Sequence, residues 1–199
     1  YPYPQENRVF DDKEAFQSYN ADSLNLEDWR RENVNLFIKS VSDTLQALKP
    51  HVKFGISPFG IWRNEIQDKT GSSTDGIGTY DQLYADTRKW LKNSWIDYIA
   101  PQLYWSNGFK QASYDTLAIW WAKNNFERHL YTGHSVYKIQ NNRDKQWNNL
   151  MEIPNQIRLN RQENISGSIF FSSNSLAKSI CAVLVLEQMS SPLVAASKR

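Results

Sequence analysis

Four apolar runs set the limits on what this chain can fold into: residues 52–59, 98–105, 129–137 and 165–173. Each has the length and the β-branched or aromatic content of a buried strand. They recur at spacings of roughly 35 to 45 residues, too long for hairpins and right for strand–helix units. Their hydrophobicity is nearly continuous rather than alternating, which suggests a parallel sheet covered on both faces.

Helical patterns fill the gaps. Asp28 is placed to cap a helix in which Val34, Phe37, Ile38, Val41, Leu45 and Leu48 form one stripe before Pro50 stops it. A second helix is expected over 80–91, with Tyr80, Leu83, Tyr84, Thr87 and Leu91 at helical spacing. A third carries Tyr114, Leu117, Ala118 and Trp121, and Pro154 should lie in the first turn of a fourth. A fifth is expected over 176–189, followed by a polar tail. The organisation is therefore an opening loop over 1–27, four βα units over 28–190 and a tail over 191–199. A free-standing four-stranded parallel sheet leaves two edges and a bare face. The expected fold is thus α/β, the C-terminal half of a (β/α)₈ barrel, for which 199 residues fall short of the ~250 of a complete one.

Composition excludes several functions. A net charge of +2 with scattered Lys and Arg gives neither a nucleic-acid footprint nor a polybasic membrane patch. The longest apolar stretch, 180–186, is too short to span a bilayer. Cys181 has no partner cysteine and reads as a small core residue. His51, His129 and His134 lack metal-ligand spacing, and no cofactor is implied. The run Gly55-Ile56-Ser57-Pro58-Phe59-Gly60 is not a nucleophile elbow, and Pro58 lacks the N–H that an oxyanion hole needs. Gly76-Ile77-Gly78 opens like a dinucleotide fingerprint, but lacks the third glycine and follows a loop.

Aromatic content points the other way. Phe, Trp and Tyr make up 14% of the chain, including eight tryptophans, many placed where core periodicity does not require them. Exposed aromatics suit ligands with apolar faces, and sugars have them. In parallel α/β folds the chemistry gathers at the C-terminal strand ends. There, Trp62, Tyr104, Trp105 and Tyr137 could stack on sugar rings. Arg63, Asn64, Gln102, His134 and Lys138 could bond hydroxyl, carboxylate or acetamido groups. Filling of the barrel top by the aromatics is the plainer alternative. Glycosidases use paired carboxylates, yet none lies directly on the end of any of the four strands. Asp68 and Asp81 are carried as catalytic candidates, although helix capping and pairing with Arg88 would also account for Asp81.

Several ordered runs resemble one family. They are Asp28-Trp29-Arg30-Arg31-Glu32-Asn33-Val34, 53–64 (Lys-Phe-Gly-Ile-Ser-Pro-Phe-Gly-Ile-Trp-Arg-Asn), 80–88 (Tyr-Asp-Gln-Leu-Tyr-Ala-Asp-Thr-Arg), 97–105 (Asp-Tyr-Ile-Ala-Pro-Gln-Leu-Tyr-Trp) and Gly167-Ser168-Ile169-Phe170-Phe171. Together they are similar to the glycosyl-hydrolase-like 10 family, bacterial proteins once grouped as a domain of unknown function, which include a hydrolase of denuded peptidoglycan glycans. The resemblance implies a TIM-barrel enzyme exported from the cytoplasm, often as a lipoprotein, that acts on a bacterial polysaccharide of N-acetylated sugars. It also implies paired aspartates at a strand end just before Tyr1, so that the catalytic acid and base would precede this chain and the fragment itself would be inactive. Arg30 and Arg31, at a helix start, could reach the same rim. A non-catalytic carbohydrate-binding protein on a barrel scaffold is the alternative. An incomplete barrel further implies self-association through the bare sheet.

Overall fold

The computed structural model describes residues 1–3 and 10–178. Its strands are β1 (Gly55–Ile56), β2 (Tyr98–Ile99), β3 (His129–Ser135) and β4 (Gly167–Phe171). All neighbours pair in parallel, in the order β1-β2-β3-β4, as right-handed βα connections require. Ladders β1 and β2 are shorter than the apolar runs because Pro58 and Pro101 carry no N–H. Their carbonyls still accept, Pro58 from the Gln102 N–H and Pro101 from that of Gly133, both at 2.9 Å. Bridges Phe59 to Gln102 and Gln102 to Gly133 therefore carry the sheet up to its C-terminal edge.

Among the described residues, one sheet face is packed and the other is left partly open. Ile56, Ile99 and Leu130 point into the main core with Leu117, Ala118 and Trp121 of the helix layer. Phe170 joins a smaller core of Val136, Trp147, Ile153 and Ile157. On the opposite face Ile169 and Phe171 stay 46% and 57% exposed. Glycines make room for the large rings on that face: a Cβ on Gly55 would lie 2.3 Å from the Tyr98 ring. Tyr98 in turn meets Tyr131 edge-on at 5.7 Å. The arrangement is that of a half-barrel: helices outside, an open concave side within.

The helices are α1 (Lys13–Tyr19), α2 (Leu26–Leu48), α3 (Thr79–Gln82), α4 (Thr87–Lys92), α5 (Tyr114–Lys123), α6 (Glu152–Gln162) and α7 (Ser173–Lys178). The opening segment is thus not all loop, since α1 lies within it. Asn25, not Asp28, caps α2, its side chain accepting from the Asp28 N–H. The buried side of α2 is also turned from the expected stripe. Asn35, Ile38 and Ser42 face inward, whereas Phe37 and Leu48 are exposed. A side-chain bond explains the rotation: the Trp90 indole donates to Asn35 Oδ1 at 2.7 Å.

The expected 80–91 helix is two helices. Tyr84 breaks it at φ 53, and Asp86 caps the second piece through the Lys89 N–H. α5 buries Tyr114, Leu117, Ala118 and Trp121 as its spacing predicts. Pro154 occupies the third position of α6, where its missing N–H costs nothing. Cys181, most of the fifth expected helix and the tail lie outside the described residues.

Candidate functional site

The open face ends in an aromatic shelf. Tyr104 follows β2, Phe171 ends β4, and Tyr137 lies in a 3-10 turn (Val136–Lys138) directly after β3. The three rings touch in a triangle, with centroids 6.5 Å apart for Tyr104–Tyr137 and 6.2 Å for each ring with Phe171. Val136 is buried and acts as the anchor that turns Tyr137 outward, leaving it 42% exposed. Towards β1 the aromatic surface continues through Trp105, Phe59 and Tyr3, each pair edge-to-face. Gln102 lies between these groups and donates to the Ser57 carbonyl at 3.2 Å. Burial raises the Tyr104 phenol pKa, so the ring presents a neutral hydroxyl.

Two devices hold the shelf rigid. Gly60 lets the turn after β1 run against β2: a Cβ there would lie 2.6 Å from the Gln102 carbonyl and 2.8 Å from the Trp105 ring. Lys138 reaches back to donate to the Tyr104 carbonyl at 2.5 Å, tying the β3 end to the β2 end.

Of the residues singled out from sequence, Tyr104, Tyr137 and Lys138 come together at these strand ends, with Gln102 and Trp105 on the β1 side, against Ser57 and Phe59. Trp62, Arg63, Asn64 and His134 do not join them. Trp62 is buried, stacked on Trp120 at 5.9 Å with the Arg88 guanidinium 4.5 Å from its ring centroid. Asn64 is buried too and closes its own loop: Nδ2 donates to the Gly76 carbonyl, while Oδ1 accepts from Gly76 N–H and Thr74 Oγ1. Arg63 is bound by two carboxylates. His134 fails as a ligand contact for a topological reason: it alternates to the helix side of β3. There it is fully buried, stacked between Tyr114 and Phe170. Its ring nitrogens bond Gln156 Oε1 at 2.8 Å and Ser168 Oγ at 2.9 Å. Desolvation pushes its pKa down to about 4.

That histidine belongs to a buried polar network supporting the shelf from behind. Glu152, fully buried at the start of α6, accepts from the Asn107 N–H, Gln146 Nε2 and Gln156 Nε2 at 2.7–3.0 Å. Gln156 Nε2 also donates to the Trp105 carbonyl at 3.1 Å. Tyr114 and Asn160 complete the network around Thr132. Interior polar groups of this kind are tolerated only when satisfied, and these are.

Several carboxylates of the surrounding loops are committed to structure. Asp81 takes Arg63 Nε and Nη2 in a fork at 2.9 Å, and Asp68 takes Nη1 at 3.1 Å. Asp68 also accepts from the backbone and hydroxyl of Thr70, which with Arg63 holds its pKa below the usual aspartate value. Asp86 caps α4, and Asp144 accepts from the Ser106 hydroxyl and the Gln146 N–H. Neither Asp68 nor Asp81 is free to act as an acid facing the shelf. The two arginines at the start of α2 are committed as well. Arg30 forks Asp12 at 2.7 Å twice and donates to the Tyr84 hydroxyl, while Arg31 pairs with Asp28 and donates to the Tyr80 carbonyl. Among the described residues no group of three His, Cys, Asp or Glu could hold a metal ion, and no helix is long and apolar enough to cross a membrane.

An open aromatic surface thus stands at the strand ends of a parallel half-barrel, and comparison with known proteins identifies the family. The glycosyl hydrolase-like 10 family model matches residues 3–149. The chain belongs to that family. Among curated proteins it is 50% identical over 183 residues to the glycosyl hydrolase YngK of Bacillus subtilis, covering 89% of this chain and 36% of that protein. It is 39% identical over 175 residues to the glycosyl hydrolase DigH of Escherichia coli K12, covering 84% of this chain and 40% of the relative. The chain therefore spans well under half the length of these relatives.

Sequence reasoning missed Phe171, the third side of the shelf. The signal was present in Ile169-Phe170-Phe171: in a strand, consecutive aromatics point to opposite faces, so one of them had to leave the core.

Proposed function

We propose that this chain supplies one wall of the sugar cleft of a (β/α)₈ glycoside hydrolase acting outside the cytoplasm, in secreted or lipoprotein form, on bacterial cell-wall or related N-acetylated polysaccharide. The observation that carries the reading is the exposed Tyr104–Tyr137–Phe171 triangle at the strand ends of a parallel sheet. Pyranose C–H faces stack on such rings, and the adjacent Gln102 amide and Tyr104 and Tyr137 hydroxyls offer polar contacts. The acid and base come from carboxylates outside this chain, because Asp68 and Asp81, its own candidates, are tied to Arg63. Alone, the 199-residue chain hydrolyses little or nothing. Its open face, with Ile169 and Phe171 exposed, pairs with the remaining barrel or, in its absence, with a second copy.

The commitment of those carboxylates also favours a second reading, a non-catalytic carbohydrate-binding protein. One experiment separates the two. The chain and the longer protein containing it are assayed side by side on peptide-free peptidoglycan glycan, following new reducing ends. Release by the longer protein alone is the expected result. Binding without release by either favours the binding protein, and equal release by both places catalytic groups within this chain.

A further inference from the structure

The geometry points to Lys138 as a reader of negative charge: its ammonium receives a carboxylate carried by the sugar that lies on the Tyr104–Tyr137–Phe171 shelf. The inference rests on the proposed function and adds the chemical class of the ligand. Arg30, Arg31, Arg63 and Lys89 each sit in an ion pair of 2.6–3.1 Å. Lys138 differs from them. It is half-buried, and among the described residues no carboxylate lies within ion-pair distance of it. Among the described residues its one hydrogen bond, to the Tyr104 carbonyl, leaves two N–H groups to spare. The Trp147 ring beneath it, 5.7 Å from Nζ, is buried and supplies no counter-charge.

Asp144 acts on this ammonium through its field, with no ion pair between them. Its oxygens are taken by the Ser106 hydroxyl and the Gln146 N–H. Burial pulls the Lys138 pKa down and Asp144 pulls it partly back, so the charge is under-compensated. A half-desolvated ammonium without a partner is costly in the free protein and favourable when an anion arrives. It is also pre-positioned, because the bond to Tyr104 fixes the long side chain that would otherwise lose rotamer freedom on binding. The shelf selects for a sugar ring and Lys138 for an acidic substituent on it.

The test measures affinity of the intact protein for peptide-free cell-wall glycan in two forms, native and with its carboxyl groups reduced to alcohols. The unaltered protein should prefer the native form by roughly tenfold, the scale of one charge-assisted bond. Lys138→Met, which keeps the apolar stem but loses the tie to Tyr104, should weaken binding of both glycans and abolish the preference, the native form losing about tenfold more than the reduced one; Lys138→Arg should retain part of the preference. An equal loss on both glycans would mark Lys138 as only a brace for Tyr104, and no loss on either would give it no role. Both results overturn the inference while leaving the shelf intact. If the unaltered protein binds neither glycan, the proposed function fails first, and this inference with it.

Discussion

Replacing Asp12 by asparagine tests how the opening segment is held against the barrel. The Asp12 carboxylate accepts from Arg30 Nε and Nη2, each at 2.7 Å, and both side chains are only 8% exposed. The amide keeps one acceptor but turns an NH₂ group towards the guanidinium and removes the charge. Breaking a fully buried pair costs about 3–5 kcal/mol, because the remaining charge stays desolvated. This pair lies close to the protein surface, so water can relax around the orphaned arginine. The cost therefore falls below that range, to about 2–3 kcal/mol. With a urea slope of about 2 kcal/mol per molar, the midpoint should fall by about 1–1.5 M. Trp29, packed on Phe16 of α1 at 5.4 Å, provides a local fluorescence reporter.

The same pair sets an acid limb. The hydrogen bonds from Arg30 hold the Asp12 pKa below its ordinary value. A carboxylate with a depressed folded pKa adds stability above its unfolded value of about 3.9, and that stability is lost as pH falls through the folded pKa. Asp12→Asn should remove this part of the acid dependence. The double variant Asp12→Leu with Arg30→Met should regain at least half of the lost stability, since no charge is left stranded. A midpoint shift under about 0.3 M, with an unchanged acid limb, would refute the reasoning.

Two further perturbations address the support of the shelf. His134 is buried neutral with its pKa pushed down to about 4, so its stabilisation is complete above pH ~6.5 and declines as pH falls towards 4. That decline amounts to about 3 kcal/mol, and His134→Gln should flatten the stability–pH slope across the window; an unchanged slope contradicts the placement. Gly60→Ala puts a methyl group 2.6 Å from the Gln102 carbonyl, which is backbone and cannot rotate away. It should cost about 1–3 kcal/mol in thermal or urea unfolding and weaken glycan binding; full stability and binding would deny the close approach of the two strand ends.

The sheet was legible from sequence because burial on both faces leaves a periodic record: four runs gave four parallel strands in chain order. Spacing also exposed the packed face of α5. What escaped was set by specific polar bonds rather than by hydrophobic rhythm. The Trp90 indole on Asn35 turns α2 away from its apolar stripe, and Tyr84, in a left-handed conformation, splits what reads as one helix. In the site, type and position along the chain did not reveal facing. His134 and Tyr137 are three residues apart, yet one supports the shelf from behind and the other forms it. Arg63 looked available until the fold paired it with Asp81, whose expected partner Arg88 bonds Thr70 instead.

The central claim, that the strand-end aromatics grip a sugar chain, is tested most directly by titrating peptide-free peptidoglycan glycan into the intact protein and three variants. Tyr137→Ala and Phe171→Ala remove exposed rings of the shelf, whereas Trp120→Phe alters an aromatic stacked on buried Trp62, away from it. A ring stacked on a sugar should contribute on the order of 1 kcal/mol. Each shelf variant is therefore predicted to weaken binding by roughly fivefold, and the pair together by more than tenfold, with Trp120→Phe unchanged. Undiminished affinity in the Tyr137→Ala, Phe171→Ala double variant would contradict the account.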